Sequence, residues 1–415
     1  MNVIIRKALV SDPRSVWNGQ RVDIYLKGQK IEKIAPHIDA EASETIDVPD
    51  LVVSPGFTDI FSHFHDPGQE HKETLETGAL AARAGGYNRV LVLPNTKPAV
   101  HSKSLVEYII QKSRHLPVDI LPLGAISQNC EGKELAEMHD MHQSGAVAFS
   151  DGIQPVQNSQ VLLKALQYVK AFEGIVIQIP DEQNLSRTGL VNEGIVSTRL
   201  GLPGKPALAE TLMLARDIEL LRYTQSRLHV TGLSTADSIE LVRRPKNDGI
   251  DLTCRVTPYH LWFSDEDLAG YDTNLKVNPP LRTPADVEAL RQAVTDGTID
   301  CIASHHQPHE WDSKVCEFEY AKYGMEGLES CFGATTTALP SLDPQMLARL
   351  FSIHPSGIFG LSLPLIEEKE KVNLTVYQKN TAHTFEAKDI RSRSVNNAFA
   401  GSTFNTTIIS TFLHK

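Results

Sequence analysis

The stretch Ser54-Pro-Gly-Phe-Thr-Asp-Ile-Phe-Ser-His-Phe-His-Asp-Pro-Gly-Gln-Glu70 decides the fold of this chain. A Pro-Gly pair near each end marks a turn, and an apolar run lies just after the first pair. Two histidines, His63 and His65, follow this run. An apolar run between turn signals is typical of a buried strand, and the end of such a strand is where α/β proteins place their chemistry.

The middle of the chain continues this pattern by alternating apolar runs with helical patterns. Eight runs have the length of buried strands: 57–61, 90–93, 120–123, 146–149, 175–179, 228–231, 252–256 and 301–303. Helical patterns lie between most of them, at 72–84, 104–113, 133–144, 159–171, 207–224, 235–244 and 284–295. This count predicts an α/β fold of the (β/α)8 TIM-barrel type. A doubly wound open sheet would alternate similarly, but no strand is followed by Gly-x-Gly-x-x-Gly.

Both ends of the chain are rich in short β-type runs. They lie at 3–10, 21–26, 30–34 and 44–53 near the N-terminus, and at 372–377 and 406–412 near the C-terminus. We therefore predict a small β-sandwich domain from residues 1–53 and 365–415, around a barrel domain of residues 54–364. The charged and aromatic stretch 308–327 is predicted to be a loop over the barrel mouth.

Composition excludes several classes of function. The chain has 415 residues and a formal net charge of -11, which argues against a nucleic-acid surface. No run approaches the ~20 apolar residues that a membrane helix needs, and the N-terminus lacks the pattern of a signal peptide. Five dispersed cysteines indicate reduced thiols. We expect a cytoplasmic protein that contacts neither nucleic acid nor membrane.

Taken together, these stretches resemble the dihydroorotases of the cyclic amidohydrolase family. That family reads Pro-Gly-Phe-Ile-Asp-x-His-x-His-x-Arg-Glu-Pro-Gly-Gln-Glu where this chain has residues 55–70. The resemblance implies a metal-dependent barrel with a small β-sandwich, and a place in pyrimidine biosynthesis. It extends over most of the chain and includes the segments 93–98, 148–152, 192–194, 200–210, 257–261, 275–283 and 324–329.

The resemblance also implies a metal site whose ligands this chain has replaced. Phe61, Ile179 and Gly232 stand where the family has histidines, and His305 replaces an aspartate that serves as metal ligand and general base. Three of these four side chains cannot coordinate a cation, whereas zinc sites use three or four protein ligands. Without a metal, bound water keeps its high pKa and is a poor nucleophile. We therefore expect no catalytic residues, no bound metal and no other cofactor.

The substrate-binding positions of the family are partly kept. Asn95 and Asn278 match asparagines that hydrogen-bond the substrate, and His309 matches a histidine near the substrate carboxylate. His65 replaces an arginine, so the planar bidentate donor is lost. Asparagines in loops also serve as turn formers, which is the structural alternative for both.

The leading hypothesis is therefore a dihydroorotase-like protein that has lost its activity and acts as a structural or regulatory subunit. The resemblance implies aspartate transcarbamoylase as a partner, and self-association into an oligomer is the other possibility. The residues themselves show neither partner.

The alternative hypothesis is a metal-dependent cyclic amidohydrolase with a rebuilt site. Strands 1 and 8 are neighbours in a closed barrel, so His63, His65 and His305 would converge there, with Asp151 opposite. Three histidines and a carboxylate can bind Zn²⁺. The structural alternative is that these histidines fill an emptied polar pocket and that Asp151 is a turn residue. Hydrolysis by an unusual route is a third possibility.

Overall fold

The computed structural model describes residues 2–414 and shows that both ends of the chain join one sheet. Its strands are β1 (Asn2–Val10), β2 (Arg21–Lys27), β3 (Lys30–Ala35), β4 (Glu44–Ile46), β5 (Leu51–Pro55), β6 (Phe57–Ser62), β7 (Tyr87–Val92), β8 (Asp119–Pro122), β9 (Val176–Gln178), β10 (Val191–Asn192), β11 (Gly204–Lys205), β12 (Leu228–Val230), β13 (Leu252–Val256), β14 (Cys301–Ile302), β15 (Asn373–Thr384) and β16 (Thr403–Leu413).

The helices lie mainly between the strands of the middle region. They are α1 (Leu75–Ala84), α2 (Lys103–Ser113), α3 (Met138–Gln143), α4 (Ser159–Val169), α5 (Gln183–Ser186), α6 (Ile195–Leu200), α7 (Leu208–Thr224), α8 (Ala236–Asn247), α9 (Pro258–Trp262), α10 (Pro284–Thr295), α11 (Leu328–Ala338), α12 (Pro344–Ala348) and α13 (His354–Ile358). Within residues 2–414, no helix is both long and apolar enough to cross a lipid bilayer.

The terminal sheet has seven strands in the order β16-β15-β5-β1-β2-β3, with β4 beside β1. Its apolar faces form a cluster of their own, which includes Ile5, Ile24, Val53 and Val376. The two ends of the chain thus share one core. The run predicted at 44–53 divides into β4 and β5, because the chain turns through Asp50 in a left-handed conformation (φ 52°). The sandwich and the domain boundaries stay predictions.

The middle region contains two parallel sheets. The first has the order β6-β7-β8, and the second has the order β14-β13-β12-β9. Phe149 connects them, since it forms single parallel bridges to Gly124 and to Val176. On the other side, the backbone N–H of His63 donates to the carbonyl of His306 at 2.8 Å. The α/β class predicted from the sequence is confirmed.

Three predicted elements differ from the structure. The strand predicted at 146–149 is reduced to the bridge at Phe149, because the chain enters a loop anchored by Asp151. Helix α1 begins later than predicted, since Thr74 and Thr77 form a capping box ahead of it. Helix α3 is only the second half of the predicted helix 133–144, because residues 126–136 pair with each other through backbone hydrogen bonds.

Six helices were not predicted: the short helices α5, α6 and α9, and the helices α11, α12 and α13 that follow β14. The sequence of α11 is rich in small and β-branched residues, and it is buried on nearly all sides, so it carries no clear amphipathic period. Its ring Phe332 packs against Phe57 and Tyr377, which joins this helix to β6 and β15. The stretch 308–327 is mostly irregular, as predicted.

Candidate functional site

The carboxyl ends of β6, β12, β13 and β14 meet in a group of side chains that we call the Phe61 cluster: Phe61, Thr231, Arg255 and His305. The ring of Phe61 stacks on the imidazole of His305 with centroids 4.6 Å apart. The guanidinium carbon of Arg255 lies 4.4 Å from the centroid of the same phenyl ring. The hydroxyl of Thr231 accepts from Nε of Arg255 at 2.7 Å and lies 2.6 Å from Nε2 of His305.

Arg255 is a buried cation whose charge interacts with the buried carboxylate of Asp59, although the two form no ion pair. Its side chain is 0% exposed, and its Nη1 donates to the carbonyl of Ile60 at 3.0 Å. Among residues 2–414, Arg255 forms no salt bridge, and its Nη2 has no hydrogen-bond partner. Burial lowers the pKa of Arg255 to about 10, so the guanidinium keeps its charge at neutral pH. Sequence reasoning missed this residue, although it is the one charge in the run 252–256.

Two more altered positions lie beside this cluster and also supply no ligand. Ile179 is buried and contributes hydrocarbon to the wall of a cavity. Gly232 has a left-handed backbone (φ 68°), and a Cβ atom there would lie 3.0 Å from Pro279 and 3.5 Å from His305. A side chain at this position would therefore be strained as well as crowded.

The donor set present does not fit a divalent metal. Within the described chain, residues 2–414, no group of three or more His, Cys, Asp or Glu side chains could hold an ion. The four residues of the alternative zinc site, His63, His65, Asp151 and His305, do not form such a group here, and that hypothesis stays a prediction. The amides of Ile126 and Ser127 donate to the carboxylate of Asp151 at 2.9 Å, and burial raises the pKa of this carboxyl to about 6. His305 belongs to the Phe61 cluster instead.

His63 and His65 do lie together, but in a stacked pair. Their ring centroids are 3.5 Å apart. Nε2 of His63 donates to the carbonyl of Asn95 at 2.9 Å, and Nδ1 of His65 lies 3.2 Å from Oε1 of Gln69. Nδ1 of His63 and Nε2 of His65 have no hydrogen-bond partner. Burial lowers the pKa of His63 to about 3 and that of His65 well below its usual value, so both rings are neutral.

The two matching asparagines have different roles. The side chain of Asn95 braces the neighbouring loop, because it donates to the carbonyl of Asp151 at 2.9 Å and accepts from the amide of Ile153 at 3.1 Å. Oδ1 of Asn278 instead accepts from Nζ of Lys205 at 2.5 Å. Asn95 thus joins two loops rather than forming a turn in its own loop, and both asparagines line cavities at this end of the fold.

His309 lies at the rim of the site. Its Nε2 donates to the carbonyl of Tyr323 at 2.8 Å, so its Nδ1 is free to accept from the ammonium of Lys72, 3.4 Å away. Burial lowers the pKa of His309 to about 4, and the nearby charge of Lys72 lowers it further in the same direction. The imidazole is therefore neutral and oriented by its two neighbours.

Two cavities open at this end of the fold. One, of about 420 Å³, lies over the Phe61 cluster and is lined by Phe61, Leu93 and Ile179 together with Asp181 and Lys205. The other, of about 500 Å³, we call the lysine pocket; it is lined by histidines and lysines, namely His63, His65, Lys72, Lys97, His309 and Lys322. Ile153, Gln154, Gln307 and Tyr323 line both cavities, so the two are neighbours.

A buried ion network, also missed by sequence reasoning, supports the site. Nε2 of His306 lies 3.3 Å from a carboxylate oxygen of Glu73, and its Nδ1 lies 3.5 Å from a carboxylate oxygen of Glu326. Although burial alone would lower it, contact with Glu326 and Glu73 raises the pKa of His306 to about 9. The imidazolium is therefore charged at neutral pH.

A C-terminal segment, residues 391–397, closes over this network. The hydroxyl of Ser392 and the amide of Arg393 donate to the carboxylate of Glu73. Oδ1 of Asn396 accepts from the amide of His309 at 2.9 Å. Residues 391–397 thus help to position Glu73 and His309, which lie far from them in the sequence.

Comparison with known proteins gives consistent matches. Residues 50–238 match the profile of a family described as Dihydro-orotase-like. Two curated relatives are both named "Dihydroorotase". The one from Syntrophus aciditrophicus (strain SB) is 35% identical over 100% of this chain and 98% of its own length. The one from Pelotomaculum thermopropionicum (strain DSM 13744 / JCM 10971 / SI) is 37% identical over 97% of this chain and 94% of its own length.

Solved structures with the same fold are more distant in sequence. The L-hydantoinase (dihydropyrimidinase) from Arthrobacter aurescens superposes with a TM-score of 0.86 at 20% identity, covering 99% of this chain and 94% of that one. The D-hydantoinase (dihydropyrimidinase) from Thermus sp. gives a TM-score of 0.81 at 19% identity, with the same coverage. At such low identity these likenesses establish the fold alone.

Proposed function

This chain belongs to the dihydroorotase family, and from that premise we propose that it is a member of the pyrimidine pathway that does not hydrolyse cyclic amides. In this proposal the architecture is kept, the metal centre is replaced by the Phe61 cluster, and the protein acts as a structural or regulatory subunit.

The observation that carries the proposal is the position of Arg255. A divalent ion beside its guanidinium would be repelled by several kcal/mol, since like charges a few ångströms apart interact at about this strength in a partly buried site. Phe61 offers no lone pair to offset that repulsion, and Ile179 and Gly232 offer none either. A buried cation, aromatic packing and missing ligands therefore all oppose a metal.

The proposal includes a closed (β/α)8 cylinder. The bridges of Phe149 to Gly124 and Val176 support closure between the two parallel sheets on one side. The hydrogen bond from His63 to His306 supports closure between β6 and β14 on the other. We also propose the terminal sheet as a β-sandwich domain of residues 1–53 and 365–415, and a cytoplasmic location, which the five free cysteines support.

As partner we propose aspartate transcarbamoylase, with self-association as the alternative. The support is the family resemblance. Purification from the native source followed by mass spectrometry, and sedimentation of the isolated chain, test the two cases. A chain that sediments as a monomer and brings down no transcarbamoylase contradicts both.

Metal content and turnover test the central proposal together. The protein is produced in zinc-supplemented medium, measured for metal, and assayed for dihydroorotate hydrolysis beside the Pelotomaculum thermopropionicum relative as the positive control. We expect substoichiometric metal and no turnover above the blank. Stoichiometric metal accompanied by turnover would overturn the proposal.

Hydrolysis is the second candidate, because the curated relatives are named "Dihydroorotase". It requires His63, His65, Asp151 and His305 to leave their present partners and converge. If metal is found, variants His63→Ala and His305→Ala decide between a rebuilt site and a contaminant. Loss of the metal in both variants favours the rebuilt site, and retention in both excludes it.

A further inference from the structure

The lysine pocket carries an excess of positive charge. Lys97 and Lys322 are exposed at its rim, and Lys72 is half-buried between them. Burial lowers the pKa of Lys72, and repulsion from Lys322 and Lys97 lowers it further, although Glu310 acts in the opposite direction. The ammonium group of Lys72 is thus close enough to both rim lysines to be repelled by each of them. A cluster of cations is unexpected in a chain of net charge -11 unless it has a use.

Little in the protein balances this charge. The carboxylate of Glu310 lies 4.0 Å from Lys72, which is the limit of an ion pair. Throughout residues 2–414, the ammonium groups of Lys97 and Lys322 have neither a salt bridge nor a hydrogen-bond acceptor. No aspartate or glutamate lines the pocket. The chain itself therefore supplies little counter-charge to these three ammonium groups.

A second, independent observation comes from the pocket wall. Nε2 of His65 and Nδ1 of His63 belong to buried rings that line the pocket, and neither nitrogen has a partner. Both rings are neutral and donate through their other nitrogen, so these two nitrogens accept, and they call for a hydrogen-bond donor on the ligand, such as a hydroxyl beside its anionic group. Buried polar atoms are rarely left without one, since the loss is costly. His309 is held with its Nδ1 toward Lys72, which keeps that ammonium at the pocket.

We propose that the lysine pocket binds the phosphate group of a small phosphorylated metabolite. Its lining contains lysines and histidines but no arginine. Arginine presents a planar fork that matches carboxylate and phosphate alike, whereas lysines act as point charges. Three ammonium groups can surround the nearly two negative charges of a phosphate monoester, which exceed the single charge of a carboxylate. The volume of about 500 Å³ leaves room for an organic body beside the phosphate. The inference rests on the proposed function in that a Phe61 cluster, rather than metal ions, lies next to the pocket.

Calorimetry of the full-length protein tests this site. Inorganic phosphate, phenyl phosphate and malonate are titrated separately into metal-free protein at low salt. The variant Lys97→Ala/Lys322→Ala removes the two rim charges, and Lys103→Ala/Lys164→Ala removes two exposed lysines on α2 and α4 as a matched control. We expect the first pair to weaken phosphate binding at least about tenfold, while the control pair changes it little.

Three outcomes overturn the inference: no heat with either phosphate, equal weakening by both variant pairs, or tighter binding of malonate than of phosphate. Circular dichroism of each variant shows whether it is folded. A failure of the inference can be told apart from a failure of the proposed function, because heat of binding in metal-free protein requires no turnover. Hydrolysis of dihydroorotate would contradict the proposed function, but the phosphate titration could still be interpreted.

Discussion

The Phe61 cluster and the lysine pocket are neighbouring regions that handle positive charge in opposite ways. In the cluster, a single guanidinium is enclosed by a phenyl ring, a carbonyl and a hydroxyl, and water is excluded. In the pocket, three ammonium groups face a cavity and have almost no counter-charge. The first arrangement is enclosed by the protein's own groups, whereas the second lacks the counter-charge that the proposed anion would supply. The charge of Arg255 is thus enclosed by protein groups, whereas the charges of the neighbouring lysine pocket are largely uncompensated.

The largest expected effect comes from replacing His306, because this residue contributes to both regions. His306 lines the cavity of the Phe61 cluster and anchors the segment that positions His309. Substitution His306→Gln leaves Glu73 and Glu326 buried without a cation, so we expect a loss of about 3–5 kcal/mol in the free energy of unfolding at pH 6. Urea unfolding measures it, with the exposed His115→Gln as control.

The same variant has a defined pH dependence. The folded-state pKa of His306 is raised to about 9 from 6.5, so its stabilising contribution is complete below pH 6.5 and is lost as the pH rises through about 9. The difference between wild type and His306→Gln should therefore shrink between pH 6.5 and 9. A constant difference across this range would show that the imidazole is neutral in the folded state.

Substitution of Arg255 tests whether the Phe61 cluster can be disrupted without affecting the lysine pocket. Arg255→Ala leaves a cavity under Phe61 and an unpaired carbonyl at Ile60, so we expect a loss of about 2–4 kcal/mol. Phosphate binding at the lysine pocket should persist in the folded variant. Arg349→Ala, which removes an exposed arginine, is the control. A wild-type stability for Arg255→Ala would mean that the cluster contributes nothing to the fold.

Removal of the two rim lysines, Lys97 and Lys322, should increase the free energy of unfolding rather than decrease it. Without ligand, Lys97→Ala/Lys322→Ala relieves repulsion at Lys72, so we expect a gain of a few tenths of a kcal/mol at low salt that disappears at high salt. Thermal unfolding at two salt concentrations measures it. A clear loss of stability would show that these lysines have partners in the folded protein and that the pocket is already complete.

The smallest expected effect is that of a metal chelator, for which we expect no change in stability. Because the Phe61 cluster uses no metal, a chelator should leave the melting temperature unchanged. Differential scanning calorimetry with and without EDTA measures this, and the Pelotomaculum thermopropionicum relative provides the comparison. A drop of several degrees in this chain would contradict a cluster that is stable without an ion.

Much of the fold could be predicted from the sequence, because β6, β7 and β13 are apolar runs bounded by turn signals. The helices after β14 could not, since α11 is buried on most sides and its composition resembles neither an amphipathic helix nor a strand. The shortening of the strand at Phe149 could not be predicted from the sequence either. Its pairing depends on a loop held by Asp151, which is a tertiary contact and leaves no local pattern.

The site could be predicted only in part. The altered identities of Phe61, Ile179, Gly232 and His305 were readable from the aligned motif. Their arrangement was not, because a convergence of His305 with His63 looks equally reasonable until the stacking on Phe61 is seen. Arg255 lies on a strand outside the quoted motifs. Its role depends on which neighbours it meets in three dimensions.

The return of residues 391–397 to Glu73 and His309 has a consequence for biosynthesis. A nascent chain on the ribosome can form its early strands and helices, yet it cannot finish this end of the molecule until Ser392 and Asn396 have been translated and released. A chain that terminates before residue 391 would therefore lack the groups that cover Glu73 and His309, even where its parallel sheets have formed.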